Sequence, residues 1–184
     1  ILIAAGVKSN ADLLKPEKSG IDITSDGWIK VNQSLETSKK NIWAIGDVIG
    51  RHLYRHTANY ESDIVIKNAL YSDKKVFDEH AVPHAVFTYP QIGSVGLTES
   101  EARKNHKIYV GIGKYSDTAK GYSMAEEDGF VKVIVDAENQ KILGAHIIGP
   151  EASVLVQQIV YLMNAGNGDY APLINAQTIH PALS

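Results

Sequence analysis

The sequence predicts an α+β chain, in which a strand-rich stretch closes with one helix and a mostly antiparallel sheet with helices follows. Three observations carry this. Short apolar pairs alternate with turn residues between Gly20 and Asp47, a run of strand-like segments begins near His84, and the strongest helical periodicity lies between Glu151 and Ala165.

In chain order, Ile21 and Ile23, Ile29 and Val31, and Ile42-Trp43-Ala44-Ile45 read as short strands around Ser25-Asp26-Gly27, the last one buried and ending at Gly46-Asp47. Thr57 to Leu70 reads as a helix, because Ala58, Ile64, Val65, Ala69 and Leu70 recur at helical spacing. Composition shifts at the linker-like Ser72-Asp73-Lys74-Lys75, and a domain boundary is expected near residues 73–82. Strands are expected near His84 to Thr88, Ile92 to Leu97 and Lys107 to Gly113. A hairpin follows, with Phe130 to Val135 and Lys141 to Ile148 flanking the turn residues Asp136-Ala137-Glu138-Asn139. Thr98-Glu99-Ser100-Glu101 fits a capping box, where the Thr oxygen and the Glu carboxylate satisfy free backbone N–H groups, and predicts a helix over Glu101 to Asn105. Glu151 to Ala165 is the clearest helix, with Val154, Leu155, Gln158, Ile159, Leu162 and Met163 on one face and Gly166 placed to end it. That face reads as core, with Tyr161 near an interface.

The 184 residues are 44% hydrophobic and 21% charged, which suits one domain or two small ones. A net charge of −3 with both signs interspersed leaves no basic stripe for nucleic acid or an anionic membrane, and neither is expected as a partner. No apolar run approaches the roughly 20 residues that span a bilayer, and Ile1-Leu2-Ile3 lacks the charged region of a signal peptide, so a soluble, cytoplasmic protein is expected. The start, without Met and on a strand-like run, reads as cut from something longer. The absence of Cys excludes a disulfide framework, a thiolate nucleophile and a Cys-ligated metal within these residues. His52 with His56, and His80 with His84, have the spacing of a helical metal pair; Pro83 interrupts the second and no acidic third ligand sits at motif spacing, so no metal is expected.

Three patterns carry a resemblance. Thr37, followed after six residues by Ala44-Ile45-Gly46-Asp47, resembles the second flavin-binding motif of flavoprotein reductases with two dinucleotide folds. Phe87-Thr88-Tyr89-Pro90-Gln91-Ile92-Gly93-Ser94-Val95-Gly96-Leu97-Thr98-Glu99 is similar to the opening of their dimerisation domain, and His180-Pro181-Ala182-Leu183-Ser184 to their active-site end. The chain therefore resembles the pyridine nucleotide-disulfide oxidoreductases of the dihydrolipoamide dehydrogenase type. Ala5 and Ser9 stand where that family commonly has Thr and Pro. The ending Leu183-Ser184 looks closer to the lipoamide dehydrogenase branch than to the glutathione reductase branch, while mercuric-ion, mycothione and coenzyme-A disulfide reductases stay open.

The resemblance implies an α/β parent of which this chain is a C-terminal fragment: residues 1–75 the end of an FAD-binding domain, and residues 76–184 an antiparallel-sheet-plus-helices dimerisation domain, truncated at its C-terminus. It implies FAD and NAD(P)H as cofactors, the latter bound mostly outside the fragment. It also implies a homodimer through residues from about Ala81 onward and a disulfide small molecule or lipoyl-protein as substrate. The fragment alone is expected to be inactive. The alternative is a stand-alone dimerisation module with no catalytic role.

The resemblance also marks site residues. Gly46 and Asp47 sit where the family binds the ribityl chain of FAD, since a carboxylate at a strand end accepts hydrogen bonds from hydroxyls and Gly permits close approach; the bland alternative is a turn. His56, Thr57 and Ala58 begin a helix whose positive end would face the flavin, the alternative being that Thr57 caps a surface helix. His180 is the candidate acid/base, because an imidazole with an ordinary pKa near 6.5 both takes and returns a proton at neutral pH. Pro181 is expected to fix a turn beside it, through a cis bond. In the family a Glu follows the final Ser to orient the imidazole, and the chain stops at Ser184, so His180 is expected to be misplaced here.

Overall fold

The computed structural model describes residues 1–71 and 74–184. It divides into two compact units, Ile1–Asp78 and Glu79–Ser184. Ser72 and Asp73, half of the linker-like stretch, lie outside the described residues.

The first unit opens with a 3₁₀ turn at Ala11–Leu14 and the short helix α1 (Pro16–Ser19), which Gly20 closes at φ 65°. The expected strands shrink to single antiparallel bridges, Ile23 to Ile29, Val31 to Thr37 and Glu36 to Trp43. The Ile42 to Ile45 run is therefore not a buried strand: Ile42 is exposed and the next three residues are half-buried. Asn41 before the run and Gly46 after it take left-handed φ angles of 64° and 70°, which interrupt extended backbone on both sides of it. A second 3₁₀ turn, Gly46–Ile49, leads to α2 (Arg55–Leu70).

Helix α2 buries Thr57, Glu61, Ile64 and Asn68; of the apolar row read from its spacing Ile64 is buried, Ala58 and Val65 are half-buried, and Ala69 and Leu70 are exposed. The reason is polar bonding. Asn68 Nδ2 donates to Ser34 O at 3.0 Å and to Lys75 O at 2.8 Å, while its Oδ1 accepts from Lys75 N at 2.7 Å, so one buried amide holds two loop segments. Ala11, Ile29, Leu35, Ile49 and Phe77 are the other buried apolar residues of this unit.

The second unit is one antiparallel sheet of β1 (Pro83–Val86), β2 (Gln91–Gly96), β3 (Ile108–Lys114), β4 (Phe130–Asp136) and β5 (Ile142–Gly149), in the order β1-β2-β5-β4-β3. Its helices are α3 (Glu99–Asn105), α4 (Ala119–Ser123), α5 (Ala152–Asn164) and α6 (Ala171–Asn175). The capping box is present: Glu101 N donates to Thr98 Oγ1 at 3.3 Å and Thr98 N to Glu101 Oε2 at 2.9 Å, and α3 starts directly after Thr98. The core lies where α5 covers the sheet, with Leu155, Val156, Ile159 and Met163 against Val95, Ala145 and Ile147. The face of α5 is rotated from the one expected, so that Val154 and Gln158 are exposed while Ala152, Val156 and Val160 are buried. Gly93 sets this rotation, because a Cβ there would lie 2.4 Å from Ala152 O; helix and strand meet backbone to backbone at that point.

Two polar fixtures lock the unit. Asp136, 4% exposed, ends β4 and accepts from Glu138 N at 2.8 Å, from Asn139 N at 3.2 Å and from the His106 ring at 2.7 Å, which shapes the hairpin turn. Tyr115, in a 3₁₀ turn before α4, is 4% exposed and donates its hydroxyl to Pro150 O at 2.9 Å, between Gly129 and Gly149, where added side chains would strike its ring. Burial pushes its phenol up to about 12.

Candidate functional site

The Gly46-Asp47 turn is built by backbone conformation. Ile45 is extended, and Gly46 turns at φ 70°, an angle that favours glycine, with its would-be Cβ 3.3 Å from the Ala58 Cβ, so a side chain there would be strained by the angle and tight against α2. Asp47 is exposed, and its backbone oxygen accepts from Gly50 N at 3.1 Å. Thr37 is buried; its backbone N–H donates to Ile42 O at 2.8 Å, and its Oγ1 bonds at Lys39.

Helix α2 begins at Arg55, so the N–H groups of Arg55, His56 and Thr57 precede its first helical bond, from Ala58 N to Tyr54 O at 3.1 Å. Thr57 is not a cap. The capping position is Tyr54, with no side-chain bond, while Thr57 is 3% exposed and its Oγ1 has no hydrogen-bond partner among the described residues. His56 stacks on Tyr54 at 5.3 Å, and Tyr54 on His52 at 6.5 Å. His52 thus precedes the helix with an aromatic ring between it and His56, which removes the helical-pair geometry of a metal site. Among the described residues no three His, Asp or Glu side chains gather as a metal centre would need.

Glu61 was not found by sequence reading. It is fully buried, four residues after Thr57 on the same helix face, and its Oε2 accepts from Gly46 N at 2.6 Å. Its Oε1 has no hydrogen-bond partner among the described residues. Burial raises its pKa most, the Gly46 N–H and Arg51 pull it down, and Asp47 pushes it up. The available signal was a row of Thr57, Glu61, Ile64 and Asn68 at helical spacing, masked by its polarity.

The structure brings Gly46, Asp47, Thr57 and Ala58 together within the first unit. His180 belongs to the second, exposed in a turn after α6, with a cis bond to Pro181. Leu183, two residues beyond that bond, packs on the core of the second unit.

A helix-backed antiparallel sheet, preceded by a glycine turn set against a helix start, defines the class. Residues 82–184 match the pyridine nucleotide-disulphide oxidoreductase dimerisation domain and residues 1–63 the pyridine nucleotide-disulphide oxidoreductase family, and the chain belongs to this family. Mycothione reductase of Mycobacterium tuberculosis is 41% identical over 189 residues, covering 100% of this chain and 41% of that protein. Dihydrolipoyl dehydrogenase of Bacillus subtilis is 34% identical, covering 98% of this chain and 38% of that protein. The solved HOCl-induced flavoprotein disulfide reductase RclA from Escherichia coli is 30% identical with a TM-score of 0.88, over 99% of this chain and 42% of that one. The chain thus spans about two fifths of the length of the relatives it matches. Among the described residues no helix is long and apolar enough to cross a membrane.

Proposed function

We propose that these residues are part of a cytoplasmic, homodimeric FAD-dependent NAD(P)H:disulfide oxidoreductase of the dihydrolipoamide dehydrogenase kind, with residues 1–75 completing its FAD-binding domain and residues 76–184 its dimerisation domain. The observation that carries the reading is the Gly46 turn at φ 70°, packed against Ala58 with the exposed Asp47 beside it. A flavin fits these donors and acceptors. Asp47 would accept hydrogen bonds from the ribityl hydroxyls, and the N–H groups that open α2 at Arg55, His56 and Thr57 would meet an electron-rich ring edge with the positive end of the helix. When bound, FAD supplies the two-electron relay between nicotinamide and disulfide.

His180 is the group we assign to proton transfer, taking a proton from the attacking thiol and returning one to the leaving thiol; its exposure leaves the ring open to a partner subunit. The 184 residues contain no Cys, so the reading needs thiols from outside them. The greater identity to mycothione reductase, 41% against 34%, favours a low-molecular-weight disulfide as the second reading of the substrate.

The test is His180→Gln in the complete enzyme. NAD(P)H should still reduce the flavin, while turnover with lipoamide or mycothiol disulfide should fall by about 10² or more. Turnover within about a factor of two of wild type removes the assignment. The 184-residue chain by itself should purify colourless, because Asp47 and the α2 start supply only part of the cofactor's contacts; stoichiometric flavin absorbance contradicts this.

A further inference from the structure

We propose that Glu61 is a positioning residue for the flavin: by accepting from Gly46 N–H, its buried carboxyl group locks the Gly46-Asp47 turn onto α2 and so fixes where Asp47 and the helix start stand together. This rests on the flavin reading above. It goes beyond it by naming a residue that touches neither hydroxyl nor ring.

Gly46 is buried and left-handed, and its N–H donates to Glu61 Oε2 at 2.6 Å, reaching across 15 residues of sequence. On the other side of the same glycine a side chain would have little room, since a Cβ there would stand 3.3 Å from the Ala58 Cβ. The turn is thereby bonded to α2 at Glu61 and lies close to it at Ala58, three residues earlier. Asp47, the next residue, inherits that placement. A purely structural role accounts poorly for a carboxyl group at this position, since its second oxygen lies buried and without a hydrogen-bond partner among the described residues, as does Thr57 Oγ1 one turn earlier. Buried polar groups of this kind are costly and concentrate where placement matters. The upward shift of the acid by burial agrees with a carboxyl held for its acceptor oxygen more than for its charge.

The experiment uses the complete flavoprotein with Glu61→Gln, Glu61→Leu and Glu61→Asp, and Ile64→Ala as a control for stability alone. FAD dissociation, the visible flavin spectrum and Tm are measured on each. Glu61→Gln keeps an acceptor and should bind FAD within about threefold of wild type, while Glu61→Leu, which removes it at similar bulk, should weaken FAD about tenfold or more and shift the spectrum. Ile64→Ala should lower Tm and leave FAD affinity within about threefold. Should the leucine variant not fold, Glu61→Asp decides: withdrawing the acceptor by one methylene should weaken FAD by about threefold to tenfold, and wild-type affinity overturns the proposal. Wild-type affinity and spectrum in Glu61→Leu, or equal weakening in Ile64→Ala, overturn it as well. A wild-type protein that takes up no FAD overturns the flavin reading itself, which is a separate result from an unchanged Glu61 variant.

Discussion

Among the described residues each unit buries one carboxyl group almost completely, and the pKa values of the two are pushed in opposite directions. Glu61 in the first unit is raised, because burial outweighs the single N–H it accepts from Gly46. Asp136 in the second is lowered, because two backbone N–H groups and the His106 ring supply three hydrogen bonds to its charged form, the one from Glu138 weighing most. Residue exposure of 0% and of 4% does not separate them; burial is the largest cause at Glu61, whereas at Asp136 the donated hydrogen bonds outweigh it. The surroundings differ accordingly. The second unit satisfies its backbone in a five-stranded ladder, whereas the first relies on isolated bridges and buried side chains that reach backbone groups.

The largest effects should come from hollowing out one unit at a time. Leu35 and Ile134 are both fully buried, and Leu35→Ala or Ile134→Ala should each cost about 2–5 kcal/mol. If the units are separate folding bodies, denaturant unfolding followed by fluorescence and by amide exchange should show each variant shifting protection in its own unit. A single shift common to all amides would break the comparison.

Next come the two acids. A raised carboxyl in the folded state gives a contribution that is present below the ordinary glutamate range and lost as pH rises through the folded value. The stability of the first unit read from amide protection should therefore decline as pH rises from the ordinary glutamate range through the folded value, and Glu61→Gln should flatten that decline. For Asp136 the sign is reversed. A lowered carboxyl contributes above the ordinary aspartate range and loses that contribution as pH falls through the folded value, so Asp136→Asn should lower the Tm at neutral pH and converge with wild type in acid. Parallel curves for wild type and variant in either case would show that the acid does not couple to stability.

The smallest effect should be at the capping box. Thr98→Ala removes one acceptor at the start of α3 and should cost about 1 kcal/mol, with no change in the first unit.

What the sequence revealed follows the same division. The strands and α5 of the second unit were readable because apolar runs between turn residues and helical spacing mark elements locally, and the capping box is likewise a local pattern that needs no tertiary context. The face of α5 was misread, since the cause is a single contact from Gly93 to Ala152 that no periodicity encodes. In the first unit the reading was poorer for the same kind of reason. Helix α2 turns polar residues inward, so an apolar row pointed to the wrong face, and Glu61 went unseen beside residues that had been singled out. Gly46 and Asp47 were noticed through a motif, while the bond that holds them comes from 15 residues away.

Tyr115 offers a different kind of handle. Its hydroxyl is committed to Pro150 O, and its phenol titrates only near pH 12 while the second unit stays closed. An opened chain would release that proton at a lower pH, so in an alkaline jump the phenolate absorbance of this ring appears at the rate of opening and not at the rate of proton transfer. One tyrosine of nine can therefore serve as a stopwatch for the lifetime of the closed sheet, with no label attached.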